Sequence, residues 1–229
     1  MLTIIIPVFN EERTLLSAIE RIEDVNLPMP FEIILIDDGS TDKTRQIIKT
    51  LDGRIKKVLT HDSNQGKGAA VRSGLSEAAG EIIVIHDADL EYDPNDWPRL
   101  LKEMESSGID VVYGSRFLGN IEKMAFTAKV ANKFLTFLTR LFFKVNLTDM
   151  ETCMKMIRSE ALIGLELQSN DFTIEPEITI KLLRKGYKIL EVPISYSGRT
   201  LQEGKKIKTL DGIKAALTLI KYKLLQSKT

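Results

Sequence analysis

Asp87 and Asp89 are separated only by Ala88, follow the run Ile82-Ile83-Val84-Ile85-His86, and precede Glu91. In an extended backbone, residues two apart point the same way. Two carboxylates held together repel each other, and a divalent cation relieves that repulsion. The spacing therefore suggests a Mg²⁺ or Mn²⁺ site that grips a diphosphate; the plainer alternative is a pair of acids capping a turn. The apolar run predicts a strand buried on both faces, with the carboxylates at its C-terminal end, where open parallel sheets take their ligands. His86 reads as a structural neighbour rather than a base. Cys153, the only cysteine, reads as a small core residue.

That strand needs neighbours. Leu2 to Val8 is a second continuous β-branched run, leading through Asn10-Glu11-Glu12 into a helix with Leu15, Ala18, Ile19 and Ile22 on one face. Phe31 to Ile36 predicts a third strand, which runs into Asp37-Asp38-Gly39-Ser40-Thr41-Asp42. Its last residues offer N-caps for a helix carrying Ile47, Ile48 and Leu51. A weaker strand is expected over 55–59. Gly66-Lys67-Gly68 opens a helix expected to close at Gly80; the spacing is not that of a phosphate-binding P-loop. Asp93-Pro94 reads as the start of a helix ending at Gly108, and a strand over 110–114 precedes Ser115-Arg116. Strands alternating with helices predict an α/β, mostly parallel, Rossmann-like sheet flanked by helices.

The chain has 229 residues, 43% apolar and 28% charged, which suits one sizeable core. Net charge is zero but unevenly spread. From Lys181 onward, ten Lys and two Arg face only Glu191, Glu203 and Asp211, a net +9. Such an end suggests an anionic partner: phosphate, acidic lipid or nucleic acid. With one cysteine and no apparent signal peptide, a cytoplasmic location is expected. No apolar run approaches the ~20 residues needed to span a bilayer.

Two segments look amphipathic. Over 121–145, Phe126, Val130, Phe134, Phe137, Leu138, Leu141 and Phe142 recur at helical spacing among Lys123, Lys129, Lys133, Arg140 and Lys144. Ile213, Leu217, Ile220 and Leu224 repeat the pattern near the C-terminus. Each fits either a helix lying on a membrane surface or one packed apolar side down on the sheet.

Taken in order, Pro7-Val8-Phe9-Asn10-Glu11-Glu12, Asp37 to Asp42, Gly66-Lys67-Gly68, Asp87-Ala88-Asp89 and Gly114-Ser115-Arg116 resemble an inverting family 2 glycosyltransferase. Thr148 to Lys155 and Arg199 to Ile207 narrow the resemblance to the dolichyl-phosphate mannose and polyprenyl-phosphate hexose synthase branch. The resemblance implies a GT-A fold in one domain, 1–229, with a nucleotide-sugar-binding half (1–118) and an acceptor- and membrane-facing half (119–229). It implies that Pro7, Phe9, Glu11, Asp37, Lys67, Asp87, Ala88 and Asp89 bind the nucleotide sugar, and that Asp87, Asp89 and Glu91 hold the metal. Many relatives have Gln at the place of Glu91. Arg116, Arg199, Lys205 and Lys206 would bind phosphate, and Asp89, Arg116, Asp149 and Arg199 would be the catalytic set.

The activity so implied is transfer of a hexose, mannose first and glucose next, from GDP-mannose or UDP-glucose to a polyprenyl phosphate at the cytoplasmic face of a membrane. The amphipathic helices, or a separate membrane protein, would attach the chain; nucleic acid is not expected as a partner. A lipid phosphate is already ionised at neutral pH and needs no general base; if one is used, Asp149 is the candidate, with a salt bridge to Lys155 as its structural alternative. Two other readings remain: transfer to a saccharide hydroxyl, with a base from Asp149-Met150-Glu151, and an inactive nucleotide-sugar-binding or membrane scaffold protein.

Overall fold

Leu2–Val8 form β1 and Phe31–Asp37 form β2, paired in parallel from Leu2 opposite Phe31 to Val8 opposite Asp37. β3 (Lys57–Thr60) continues the sheet on the β2 side and β4 (Ile82–Ile85) on the β1 side, both parallel. Alternation decides the faces. Leu2, Ile4 and Ile6 join Ile33, Leu35 and Val84 in one buried cluster, whereas Ile5, Ile34, Ile36 and Ile83 form another on the opposite face. Helix α1 (Leu15–Glu23) covers the first cluster with Leu15, Ala18, Ile19 and Ile22, and α2 (Thr44–Thr50) follows β2. Helix α3 (Lys67–Leu75) meets the second cluster with Ala70. It stops at Leu75, short of the expected Gly80.

The computed structural model describes residues 1–200, 203–206 and 209–226. After β4, Asp93 caps a 3-10 turn over Pro94–Asp96, and α4 (Trp97–Ser107) ends at Gly108 in the left-handed region, as its sequence predicts. β5 (Val111–Lys123) runs well past the expected Gly114, so the next helix, α5 (Phe126–Phe143), begins later than expected. Two further strands complete the sheet. β6 (Lys155–Arg158) enters antiparallel between β4 and β5, and β7 (Ile189–Ser197) lies parallel to β5 at the edge. The order is β3-β2-β1-β4-β6-β5-β7. Helix α6 (Ser159–Leu162) is short, while α7 (Ile174–Arg184) and α8 (Thr209–Gln226) are longer. A third cluster of Leu135, Met150, Ile180, Ala215 and Leu219 joins α5, α7 and α8. β1 lies between β2 and β4, so the loops after these three strands share one rim of the sheet.

Candidate active site

β4 ends at Ile85, and the acidic motif occupies the turn beyond it. Leu90 in that turn holds a φ of 63°, a conformation that non-glycine residues adopt sparingly. The extended geometry expected for Asp87 and Asp89 is thereby broken: Asp87 turns to Lys67, while Asp89 and Glu91 meet Arg199. Asp87 Oδ2 accepts from Lys67 Nζ at 2.9 Å. Lys67 Nζ also lies 3.0 Å from Glu175 Oε1, and Glu175 pairs with the fully buried Lys155. The result is an alternating chain Asp87–Lys67–Glu175–Lys155 under the turn. Burial works against the charges of Asp87, Lys67 and Glu175, yet the Lys67 ammonium holds the Asp87 carboxyl below its usual range, and Asp87 and Glu175 hold Lys67 protonated. Lys67 thus spends its charge on Asp87.

Asp89 has fewer donors. Its Oδ2 meets Arg199 Nη2 at 3.3 Å, and burial, with Asp87 and Glu91 nearby, pushes its carboxyl up to about 7. Glu91 is held on all sides. Its Oε2 accepts from the Tyr196 hydroxyl, and its Oε1 accepts from the Arg199 amide at 2.8 Å and from Lys205 Nζ at 3.3 Å.

A basic segment after β7 closes over this rim. Arg199 forms a two-pronged ion pair with Glu11, at 2.9 and 3.0 Å, across 188 residues of chain. Lys206 Nζ donates to Glu11 Oε1 at 2.5 Å and to the Phe9 carbonyl. Gly204, with a φ of 93°, permits the bend that brings Lys205 and Lys206 back to the acids. Leu201, Gln202 and Ile207 of the same motif lie outside the described residues.

Beside this group, the buried Arg116 guanidinium forks onto Asp149: Nε to Oδ2 and Nη2 to Oδ1, both at 2.7 Å. The Arg116 amide donates to the same carboxylate at 3.0 Å. Burial opposes the arginine's charge, but Asp149 more than offsets it and raises its pKa further. Glu191 on β7 steadies the turn by accepting the amides of Thr148 at 2.7 Å and Asp149 at 2.8 Å. The alternative partner expected for Asp149, Lys155, is engaged by Glu175 instead. Arg116 keeps Nη1 without a hydrogen bond among the described residues, and its guanidinium lies 5.2 Å from the Tyr196 ring centroid.

Asp37 is braced by the Ser40 amide at 2.9 Å and Arg45 Nε at 2.8 Å. Asp38 accepts from the amides of Gln65 and Gly66 and pairs with His61 Nδ1 at 2.7 Å. Both fix the loops around the β1–β2 rim. Pro7 closes β1, and Ala88 is buried beneath the acidic turn. His86 stacks edge-on against Trp97, and burial lowers its pKa to about 4, which suits the structural role expected of it. The residues that pattern reading missed are Tyr196, Glu191 and Glu175, each of which acts on a partner distant in sequence.

Among the described residues no three His, Cys, Asp or Glu side chains gather as a ready cation cage, because Asp87 and Glu91 are turned to their own partners. The donor chemistry still fits Mg²⁺ or Mn²⁺. These ions are held by one or two carboxylates completed by substrate phosphates, and Asp89 is an under-donated carboxylate on the same rim as three cationic side chains.

Away from the rim, α5 turns Leu135, Thr136 and Thr139 inward and leaves Phe126, Val130, Phe134, Phe137 and Leu141 exposed, Phe126 at 79%. Helix α8 buries Ala215 and Leu219 and exposes Leu210, Ile213, Leu217, Ile220 and Leu224. The two helices pack together through Leu135 and Leu219. Of the α5 stripe noted in the sequence, the five exposed residues face outward while Leu138 and Phe142 pack against the third cluster; the α8 stripe of Ile213, Leu217, Ile220 and Leu224 is exposed. No helix among the described residues is long and apolar enough to cross a membrane.

The model of the glycosyl transferase family 2 matches residues 3–165. The dolichol-phosphate mannosyltransferase of Pyrococcus furiosus is 32% identical over 89% of this chain, which spans only 58% of that protein. The dodecaprenyl-phosphate galacturonate synthase of Rhizobium johnstonii is 30% identical over 72% of this chain and 50% of its own length. The expectation of a hexosyltransferase agrees with these names. Glucosyl-3-phosphoglycerate synthase from Mycobacterium tuberculosis, crystallised with Mn²⁺, UDP and phosphoglyceric acid, superposes with a TM-score of 0.73 at 20% identity, over 97% of this chain and 78% of that one. That likeness bears out the expected GT-A fold. The chain belongs to glycosyl transferase family 2.

Proposed function

We propose that this chain transfers a hexose, mannose in the first instance, from a nucleotide sugar to a polyprenyl or dolichyl phosphate, with inversion and at the cytoplasmic face of a membrane. The observation that carries the reading is the meeting of Glu11, Asp89 and Glu91 with Arg199, Lys205 and Lys206 on one rim, with Arg116 alongside. Two anionic substrates must approach each other here. Arg116 offers its remaining Nη1 to the acceptor phosphate, while Arg199, Lys205 and Lys206 exchange carboxylate partners for the donor's phosphates. The two halves interlock on this reading: Arg116 from residues 1–118 reaches the acceptor phosphate, and Arg199, Lys205 and Lys206 from 119–229 reach over the donor.

Mg²⁺ or Mn²⁺, held by Asp89 and the diphosphate, would neutralise the charge that develops on the leaving nucleotide. The acceptor phosphate oxygen forms the new bond to the anomeric carbon as the bond to the nucleoside diphosphate breaks. Asp149 does not serve as base on this reading, since Arg116 occupies both of its oxygens. The exposed apolar faces of α5 and α8, followed by a basic end, support approach to an anionic bilayer, which combines insertion with charge attraction. The mannosyltransferase and galacturonate synthase named above support a lipid-phosphate acceptor.

One observation favours the saccharide-hydroxyl reading. Glu151 has a buried Oε1 without a hydrogen bond, and burial raises its carboxyl to about 7, near the best value for a general base at neutral pH. The test is a panel of labelled nucleotide sugars with a short polyprenyl phosphate, detergent, and Mn²⁺ or Mg²⁺, with Asp89→Ala as the blank. Lipid-linked product from one donor, lost with chelator and in the variant, is expected. Product only on free saccharides, abolished in Glu151→Gln, would replace the lipid acceptor with a sugar.

A further inference from the structure

We propose that Tyr196 is a positioning residue that ties the donor-side carboxylate Glu91 to the acceptor-side arginine Arg116. The proposal rests on the function just argued, in which these two sides bind different substrates. Tyr196 is 3% exposed, near the end of β7, and no motif points to it. Its hydroxyl donates to Glu91 Oε2 and accepts from Lys205 Nζ at 3.3 Å. Its ring lies 5.2 Å from the Arg116 guanidinium, within cation–π range, and is braced edge-on by Tyr92 at 5.2 Å. One rigid side chain therefore touches both halves of the site.

The backbone reinforces this placement. The Ser197 amide donates to the Glu91 carbonyl at 2.9 Å, the Arg199 amide donates to the Glu91 carboxylate, and Tyr92 and Tyr196 form an isolated antiparallel bridge. Ser195, next to Tyr196, donates its amide to Asp96 at 2.7 Å, anchoring the strand on its other side. The acidic turn after β4 and the end of β7 thus move as one body. Arg116 rides on the Tyr196 ring, with Asp149 holding the other edge of its guanidinium. A phosphate on Arg116 and a diphosphate under Arg199 and Lys205 are in this way held in fixed register, which a displacement reaction between two bound anions requires.

The hydroxyl and the ring do separate jobs, and two variants separate them. Tyr196→Phe keeps the ring under Arg116 and removes only the hydroxyl's bonds to Glu91 and Lys205, both on the donor side. Calorimetry with GDP and UDP in Mn²⁺ should show nucleotide affinity weakened about tenfold, the size expected for loss of a hydrogen bond to a charged group. The KM for polyprenyl phosphate should stay within about twofold and the thermal midpoint near that of the natural chain. Tyr196→Leu removes both contacts, and should raise the acceptor KM as well. Unchanged nucleotide affinity in Tyr196→Phe, or equal effects of the two variants on both substrates, would overturn the tie. A natural chain that binds nucleotide but gives no polyprenyl product counts against the functional reading alone, because the Tyr196→Phe nucleotide affinity still decides the tie.

Discussion

Asp89 carries a carboxyl raised to about 7 by burial and by Asp87 and Glu91, against 3.8 in an unfolded chain. Between those two values the folded protein holds a proton that the unfolded chain has released. The stability this provides is full below pH 3.8 and is lost as pH rises through 7. On the proposed function a divalent cation would take the proton's place. The shift in thermal midpoint on adding Mn²⁺ should therefore be larger at about pH 8 than at about pH 6, and absent in Asp89→Asn; an equal shift at both would remove Asp89 from the metal site. A second prediction concerns Asp149. Asp149→Asn leaves the buried Arg116 charge under-paired, at a cost of about 3–5 kcal/mol in urea unfolding. The rate on a phosphate acceptor should fall while its pH profile keeps its shape. Loss of one limb of that profile would identify Asp149 as a base. Asp89 and Arg116 were legible from their motifs. The residues that brace the site from β7 were not: Glu191 lies 42 residues from Asp149, and Tyr196 lies 105 from Glu91. A side chain that acts across the sheet leaves no local pattern.

At the scale of elements, β1, β2 and α1 follow directly from period and β-branching, and the start and end of α4 from Asp93 and Gly108. The strands added late were harder to read. β6 is four residues long and antiparallel, and β7 carries Glu191 and Pro193, so neither shows the continuous apolar run of a parallel core strand. The amphipathic helices were legible as helices but not in orientation. The face α5 buries carries Thr136 and Thr139 beside Leu135, Leu138 and Phe142, while Phe126, Phe134 and Phe137 point outward, so apolar residues lie on both faces and period alone does not give the orientation. Exposed side chains contribute little to the fold. Replacing Phe134 and Phe137 with Asp should thus leave the thermal midpoint nearly unchanged and abolish flotation with acidic liposomes. A large fall in thermal stability would show that these rings are covered in solution.

Across the whole molecule, charge is segregated along the chain: a net +9 from Lys181 onward balances the acidic remainder. A surface drawn to anionic lipid by such a segment, and held by apolar insertion once there, responds to salt in two steps. Vesicle association should weaken several-fold as NaCl rises from about 0.05 to about 0.5 M, where the Debye length shrinks to a few ångströms. Protein already inserted should resist washing at the same salt. Complete release by salt would leave no role for the α5 and α8 faces.

The bond between Glu11 and Arg199 also has a meaning in time. During synthesis the segment bearing Glu11, Asp89 and Glu91 leaves the ribosome long before Arg199, Lys205 and Lys206 exist to neutralise it. Until the final stretch emerges, the nascent chain displays an unscreened acidic rim and lacks the edge strand β7. The rim is completed by the same stretch that carries α8. The maturing polypeptide therefore gains the cations proposed for the donor and the outward face of α8 almost together, so a ribosome-bound chain truncated before Arg199 should not capture nucleotide.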